Sequence, residues 1–320
     1  MNKSVIAMAA LVLSTGGAVA DVKISGFGRT GLFYYENGHR TGGGNSTQVS
    51  SRLRFIVNAT TITDSGVKFG ARFRWQWDQG DAAMSSGSPP SIYAAFDHVT
   101  VYVGNVPTAF DSANLLKASQ MGIYDRSEGG DPLGDFFSFE NKSYRGRVNR
   151  VGLAVEYEAG SLVARASFVN PDQTGNNEDG IGFEEELGAS LDYAWDNGLS
   201  LSTAAVFNGS GYKDNDQYFV GAQFAVNDNA RVGMNFINNG SITESDDLGQ
   251  TLVLYGNLAW KSVSFDAYVA NNDGDWSGKT TDQAYGIGVN YDLGGARLAA
   301  SLQRDYSELL SIDTGVRFSF

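Results

Sequence analysis

Apolar and polar residues alternate one for one along most of this chain, a period of two that belongs to β-strands with one greasy and one wet face and not to helices. In residues 52–58, Leu53, Phe55 and Val57 fall on one side and Arg52, Arg54 and Asn58 on the other. In the next stretch Val67, Phe69, Ala71, Phe73, Trp75 and Trp77 oppose Lys68, Arg72, Arg74, Gln76 and Asp78. The pattern returns in Leu187, Ala189, Leu191, Tyr193 and Trp195, and in Tyr285, Ile287, Val289 and Tyr291. At the far end Ile312, Val316, Phe318 and Phe320 oppose Asp313, Gly315, Arg317 and Ser319.

Sixteen such segments can be marked: 22–36, 49–62, 66–79, 91–97, 99–106, 147–158, 161–170, 183–195, 198–208, 216–226, 230–239, 249–260, 262–271, 281–292, 295–306 and 311–320. Their connections sort by parity. Those after even-numbered segments are tight, as in Thr63-Asp64-Ser65, Ala159-Gly160, Asp196-Asn197, Asn227-Asp228-Asn229 and Leu293-Gly294. Those after odd-numbered segments are mostly longer and polar, as in 37–48, 80–90, 171–182 and 240–248. A soluble sandwich has no reason to sort its connections this way, whereas a membrane barrel has short turns at its periplasmic end and longer loops outside. In lipid every backbone donor and acceptor needs a partner within the protein, so a spanning sheet must close on itself. At this strand count the ring is too wide for side chains to fill, which leaves an aqueous channel. The expectation is an all-β fold, a 16-stranded antiparallel transmembrane β-barrel occupying residues 21–320 as one domain. Trp75, Trp77, Tyr157, Tyr193, Trp195, Phe224, Trp260, Tyr291, Phe318 and Phe320 lie near segment ends, where aromatic girdles meet lipid headgroups.

Residues 1–20 read differently. Lys3 gives a basic head, 5–13 is an apolar run and Ala18-Val19-Ala20 has the form of a cleavage site, so 1–20 is expected to be a secretory signal peptide. The run is too short for a membrane helix, which needs about 20 apolar residues. Without Lys3, 22 basic residues stand against 36 acidic ones, a charge of −14. That excess argues against a nucleic-acid partner, whose phosphates call for positive charge. The chain has no cysteine, so an exported fold must draw its stability from something other than disulfides.

One connection is out of scale. Residues 106–146 form a third loop far longer than the 12–15 residues or so beyond which loops are uncommon. It carries Asp111, Asp125, Glu128, Asp131, Asp135 and Glu140 between apolar residues such as Leu115, Leu116, Met121, Ile123, Phe136 and Phe137. So apolar a loop is expected to fold into the lumen, where it finds a wall. The polar faces of the first three segments collect Arg29, Arg52, Arg54, Lys68, Arg72 and Arg74, which must point inward because arginine facing lipid near the midplane costs about 2–4 kcal/mol. An acidic loop would thus face a basic wall across a narrowed, charge-selective passage. The net charge and the loop together favour a weak preference for cations.

Several short stretches resemble the general diffusion porins of the Rhodobacter type. They are Val22-Lys23-Ile24-Ser25-Gly26-Phe27-Gly28-Arg29-Thr30-Gly31-Leu32, Ser50-Ser51-Arg52-Leu53-Arg54, Val67-Lys68-Phe69-Gly70-Ala71, Val101-Tyr102-Val103-Gly104-Asn105-Val106 with Thr108-Ala109-Phe110-Asp111-Ser112, Ala284-Tyr285-Gly286-Ile287-Gly288, and the closing Gly315-Val316-Arg317-Phe318-Ser319-Phe320. The resemblance implies an outer-membrane porin passing ions and small hydrophilic solutes, a homotrimer amid outer-membrane lipids and lipopolysaccharide, and the third loop as a constriction. It further implies that Phe320 marks the closing strand for the outer-membrane assembly machinery, and that Asp21 and Phe320 meet where the barrel closes. No cofactor is required, although porins of this type can hold calcium at acidic loops. Residues 170–180 and 271–275 are acidic without a complete calcium-loop pattern.

The rival readings are weaker. An enzyme would need a nucleophile, base and orienting group, and the two histidines, His39 in a long loop and His98 at a tight turn, fall at opposite ends of the barrel. A substrate-specific channel would line its lumen with an aromatic track, and Phe33, Tyr35, Tyr102, Tyr255 and Tyr268 form no continuous ladder in sequence. A soluble β-rich binding module would leave the alternation and the sorted loops unexplained.

Overall fold

The computed structural model describes residues 21–36, 38, 44–79, 86–123, 132–140, 150–174, 183–243 and 246–320. The expected signal segment, 1–20, lies outside the described residues. The strands run β1 (Asp21–Tyr35), β2 (Thr47–Ile62), β3 (Lys68–Asp78), β4 (Ser86–Phe96), β5 (Val99–Gly104) and β6 (Val151–Ala159). They continue as β7 (Leu162–Asn170), β8 (Glu186–Ala194), β9 (Leu199–Phe207), β10 (Gln217–Asn227), β11 (Ala230–Asn238), β12 (Ser241–Thr243) and β13 (Asp246–Asp247). The last are β14 (Gln250–Trp260), β15 (Val263–Asn272), β16 (Gln283–Asp292), β17 (Ala296–Arg304) and β18 (Leu310–Ser319).

Sixteen of these close into one antiparallel barrel, with β1 against β18 completing the ring. The remaining two, β12 and β13, make a small ribbon inside the connection between β11 and β14, too short to leave a period in the sequence. The connections sort as the pattern requires. Asp97 and Lys261 adopt positive φ (49° and 56°) in two of the tight turns, a conformation that two-residue hairpins favour because it matches strand twist. The opposite end of the barrel carries the long connections.

Closure differs from the expected meeting of Asp21 with Phe320. The backbone N–H of Gly26 donates to the Phe320 carbonyl at 2.8 Å and that of Phe320 to the Gly26 carbonyl at 3.0 Å, while Asp21 sits opposite Thr60 of β2. The cause is register: β1 pairs with β18 from Phe27 onward, so residues 21–25 extend past the end of the closing strand with a neighbour on one side alone. β4 also begins earlier than expected. It runs through Pro89 and Pro90, which cannot donate to a ladder, and the sheet admits them at a bulge where Arg72 pairs with Ser91 but Arg74 with Ser88.

Outward faces present Phe69, Trp75, Leu191, Val232, Leu254, Ile287 and Phe318, all more than a third exposed, which is the lipid-facing set. Tyr157, Trp195, Trp260, Tyr291 and Phe320 are likewise exposed at the tight-turn end, as an aromatic girdle requires. The buried core lies elsewhere. Phe110, Ala113, Leu115, Leu116, Met121, Leu133 and Phe136 of the long connection pack inside the ring against Val206, Phe219, Ile237, Val253, Tyr268, Ala284 and Tyr306.

Candidate functional site

The connection between β5 and β6 enters the lumen and follows its wall in two tiers. The first leg travels from β6 round to β1. Val106 packs on Ala154 and Val169, the Ala109 amide donates to Ser167 Oγ (2.9 Å), and the Asn114 amide donates to Asp192 Oδ1 (3.0 Å). Asn235 Nδ2 then donates to the Leu115 carbonyl (2.8 Å), and the Ile123 amide to Asp313 Oδ1 (2.8 Å). The leg ends where Arg29 Nη1 donates to the Ile123 carbonyl at 3.3 Å.

The return leg lies nearer the long-loop mouth. Tyr306 donates its hydroxyl to the Pro132 carbonyl (2.8 Å), Thr251 and Asn239 donate to that of Leu133 (2.9 and 2.7 Å), and Gln217 Nε2 to that of Phe137 (2.6 Å). The Phe139 amide donates to Glu186 Oε2 (2.7 Å), and Thr108 Oγ1 to the Phe139 carbonyl (2.5 Å), tying the two legs together. Asn215, Gln217, Asn235, Asn239, Thr251 and Asn272 are fully buried by this arrangement. An irregular backbone inside a barrel has carbonyls and amides that need partners, and this comb of amides and hydroxyls supplies them.

Among the described residues, the loop covers the wall from β6 to β18 and the inner face of β1 beside Ile123, and leaves β2 to β4 without such cover. On the bare side, Arg52 is ion-paired with Asp78, Arg54 Nε donates to Gln76 Oε1 (2.7 Å) and sits 4.9 Å above the Phe27 ring, and Arg74 Nε donates to Ser88 Oγ (3.2 Å). Arg72 faces water, and Arg29 is buried beside Ile123. These guanidiniums form one electrostatic group: Arg54 feels Arg74, Arg52 and Arg29 as like charges, and Arg74 feels Arg72 and Arg52. Lys68 stands apart, at the β2–β3 turn beside Ile62 and Ala95.

Across the gap, Arg74 feels the carboxylates of Glu140 and Asp111. Asp111 receives a hydrogen bond from Lys117 Nζ at 2.5 Å, so the loop carries a cation among its acids that the count of carboxylates passed over. The Glu140 carbonyl accepts from Arg150 Nη2 (3.0 Å), and Asp135 is anchored through its carbonyl by Asn239 (2.9 Å). Asp125, Glu128 and Asp131 lie outside the described residues. Three wall carboxylates, Glu186, Asp192 and Asp313, turn out to hold the loop backbone. All three fall on the polar face of an alternating segment, but nothing in their spacing says what they would bind.

The aromatic candidates serve the loop too. Phe33 and Tyr35 pack with Ile123, and Tyr255 and Tyr268 belong to the main buried cluster, so they form no exposed track. Among the described residues no group of three or more His, Asp or Glu side chains could hold a metal ion.

A closed 16-stranded barrel with lipid-type residues outside, and an inner loop that leaves one charged flank of the lumen uncovered, defines a transmembrane channel narrowed by its own chain. The model of the Gram-negative porin family matches residues 7–310. A porin of Fuscovulum blasticum is 40% identical over 304 residues, covering 94% of this chain and 100% of that protein. Among solved structures, a doubly substituted mutant of the Rh. blastica porin superposes with a TM-score of 0.82, and a triple mutant of the Rhodopseudomonas blastica porin with 0.81. Both are 38% identical, and each match covers 94% of this chain and 100% of that structure. The chain belongs to the Gram-negative porin family, and it is a general diffusion porin of the outer membrane.

Proposed function

We propose that solutes cross through the gap between the arginines of β1 to β3 and the Asp111 and Glu140 flank of the loop, and that this gap sorts them by charge as well as size. The observation that supports it is the placing of the loop, which packs against the wall from β6 to β18 while Arg52, Arg54 and Arg74 on β2 and β3 bond only to wall neighbours among the described residues. Fixed charges of opposite sign across a narrow passage set up a transverse field. Dipolar solutes align in that field, and apolar ones are slowed because the water around them must reorganise. Passage is passive, with no catalytic step.

Weak cation preference follows from the acid excess of the chain, moderated by the arginines and Lys117. The test is the reversal potential across a planar bilayer in a salt gradient. Replacing Arg52 and Arg74 together with alanine should move it further toward cations. The shift should shrink in concentrated salt, where the Debye length falls to about 3 Å at 1 M. An unchanged potential would place selectivity elsewhere.

Family membership also supports a homotrimer in a lipid and lipopolysaccharide membrane. It likewise supports recognition of the closing strand by the outer-membrane assembly machinery. For the latter, Phe320 is well presented, half exposed with its ring edge-on to Phe55 at 5.5 Å.

A further inference from the structure

The outer wall carries a feature that solute passage does not use. Around β11 and β14 to β17, two open apolar recesses of about 790 and 830 Å³ lie one above the other and meet at Gly256 and Ala267. These two residues are cross-strand partners on outward positions, between Val232 and Ile287. A Cβ at Gly256 would meet nothing closer than 3.6 Å, so no described part of the chain fills the dip. Leu254 and Val269 rise on its long-loop side and Leu258 and Phe265 on its tight-turn side, each about half exposed. From Leu254 to Leu258 is roughly 13 Å of strand. That is half of an outward apolar band about 25 Å tall, the depth of one leaflet.

The surroundings say what fits there. Apart from Tyr285 at the upper rim, the outward residues of both recesses carry no polar side chain. A docked protein would want about one hydrogen bond per 100–200 Å² of contact, which this surface cannot supply. The outward face of β1 and β2 can, through the Thr30 and Ser51 hydroxyls, 2.7 Å apart. Hydrocarbon asks for no such bonds. At the foot of the lower recess, the next outward residue after Leu258 is Trp260 of the tight-turn girdle, and Lys261 holds its ammonium 5.3 Å from that ring. Stacking on an outward ring aims the charge at the bilayer, at headgroup height on the periplasmic side. Among the described residues no carboxylate pairs with Lys261.

We propose that these joined recesses seat an acyl chain of an anionic phospholipid from the periplasmic leaflet, with Lys261 holding the phosphate. The seat is a discrete site, distinct from the general contact of the barrel with lipid.

The test titrates the full-length protein in detergent with phosphatidylglycerol, phosphatidylcholine or lipid A, and counts bound lipid by native mass spectrometry. Phosphatidylglycerol should be retained ahead of the other two. Lys261→Ala should weaken its binding about fivefold, the worth of one lysine at a charged surface, and abolish its lead over phosphatidylcholine. Gly256→Leu, which fills the dip, should weaken both phospholipids alike, roughly tenfold, because less chain is covered. Neither side chain faces the lumen, so unchanged single-channel conductance reports that each variant has folded. Phosphatidylglycerol held equally by the parent and Lys261→Ala, lipid A held ahead of it, or Gly256→Leu losing subunit association instead of lipid would each overturn the site. None of these outcomes touches the porin reading, which silent bilayers alone would sink.

Discussion

The two halves of the inner wall obey the same alternation and yet are built from opposite chemistry. From β9 to β16 the inward positions include Ala204, Val206, Phe219, Ile237, Val253, Tyr268, Ala270 and Ala284, all buried, among the amides and hydroxyls that hold the loop backbone. Along β2 and β3 they include Arg52, Arg54, Arg72 and Arg74. The difference is what covers them. Leu115, Leu116, Met121 and Leu133 lie over the first half, so apolar side chains are buried there and contribute roughly 1.5–3 kcal/mol each. Over the second half the described loop lays no such apolar cover, and the guanidiniums are held by polar wall partners, Arg52 by Asp78, Arg54 by Gln76 and Arg74 by Ser88. An inward position in a barrel thus has no fixed polarity until its cover is known.

The largest test of this contrast is to remove the cover. Deleting residues 115–137 should raise single-channel conductance roughly twofold or more, because a ring of this width is open without its loop. It should also lower the thermal unfolding temperature in detergent, since Val206, Phe219 and Val253 become wet. Conductance equal to that of the parent would mean the loop does not set the width.

A milder cut separates the halves. Leu116, fully buried on the covered side, should cost about 2–5 kcal/mol of stability as Leu116→Ala, whereas Arg72→Ala on the bare side should stay within about 0.5 kcal/mol. Unfolding in denaturant, followed by tryptophan fluorescence, compares the two, and equal losses would erase the distinction.

Smaller still is the effect of a single tether. Asp192 accepts from both the Asn114 amide and Arg165 Nη1, so Asp192→Ala should cost about 1–3 kcal/mol and increase open-channel noise as the first leg loosens. Asp192→Asn, which retains an acceptor, should recover part of the quiet baseline.

The barrel was legible because the contrast between lipid and water acts along entire strands, as Phe69, Phe73 and Trp75 alternating with Lys68, Arg72 and Arg74 show. That contrast fails where both sides are apolar. Leu252, Val253 and Leu254 read as one run, although Leu252 and Leu254 face lipid and Val253 lies under the loop. Half of the candidate passage was legible as well, since arginines have nowhere to go but inward. Lys117 was visible in the sequence, but its place beside Asp111 depends on the course of the loop. Asn215, Gln217, Asn239 and Thr251 look like ordinary lumen polar residues until the carbonyls they receive are known. Lys68 shared the periodicity of the arginines, and only its height along β3, next to the turn, removed it from the group.

The two-tiered loop has a consequence for how such a molecule comes into being. Until that segment settles, half of the tube is sticky on both its skins, toward the bilayer and toward its own hollow. The loop leaves and rejoins adjacent staves, so it can swing in through the open mouth without threading. Covering the apolar interior and drawing in the aperture are therefore one structural act, since the same segment does both.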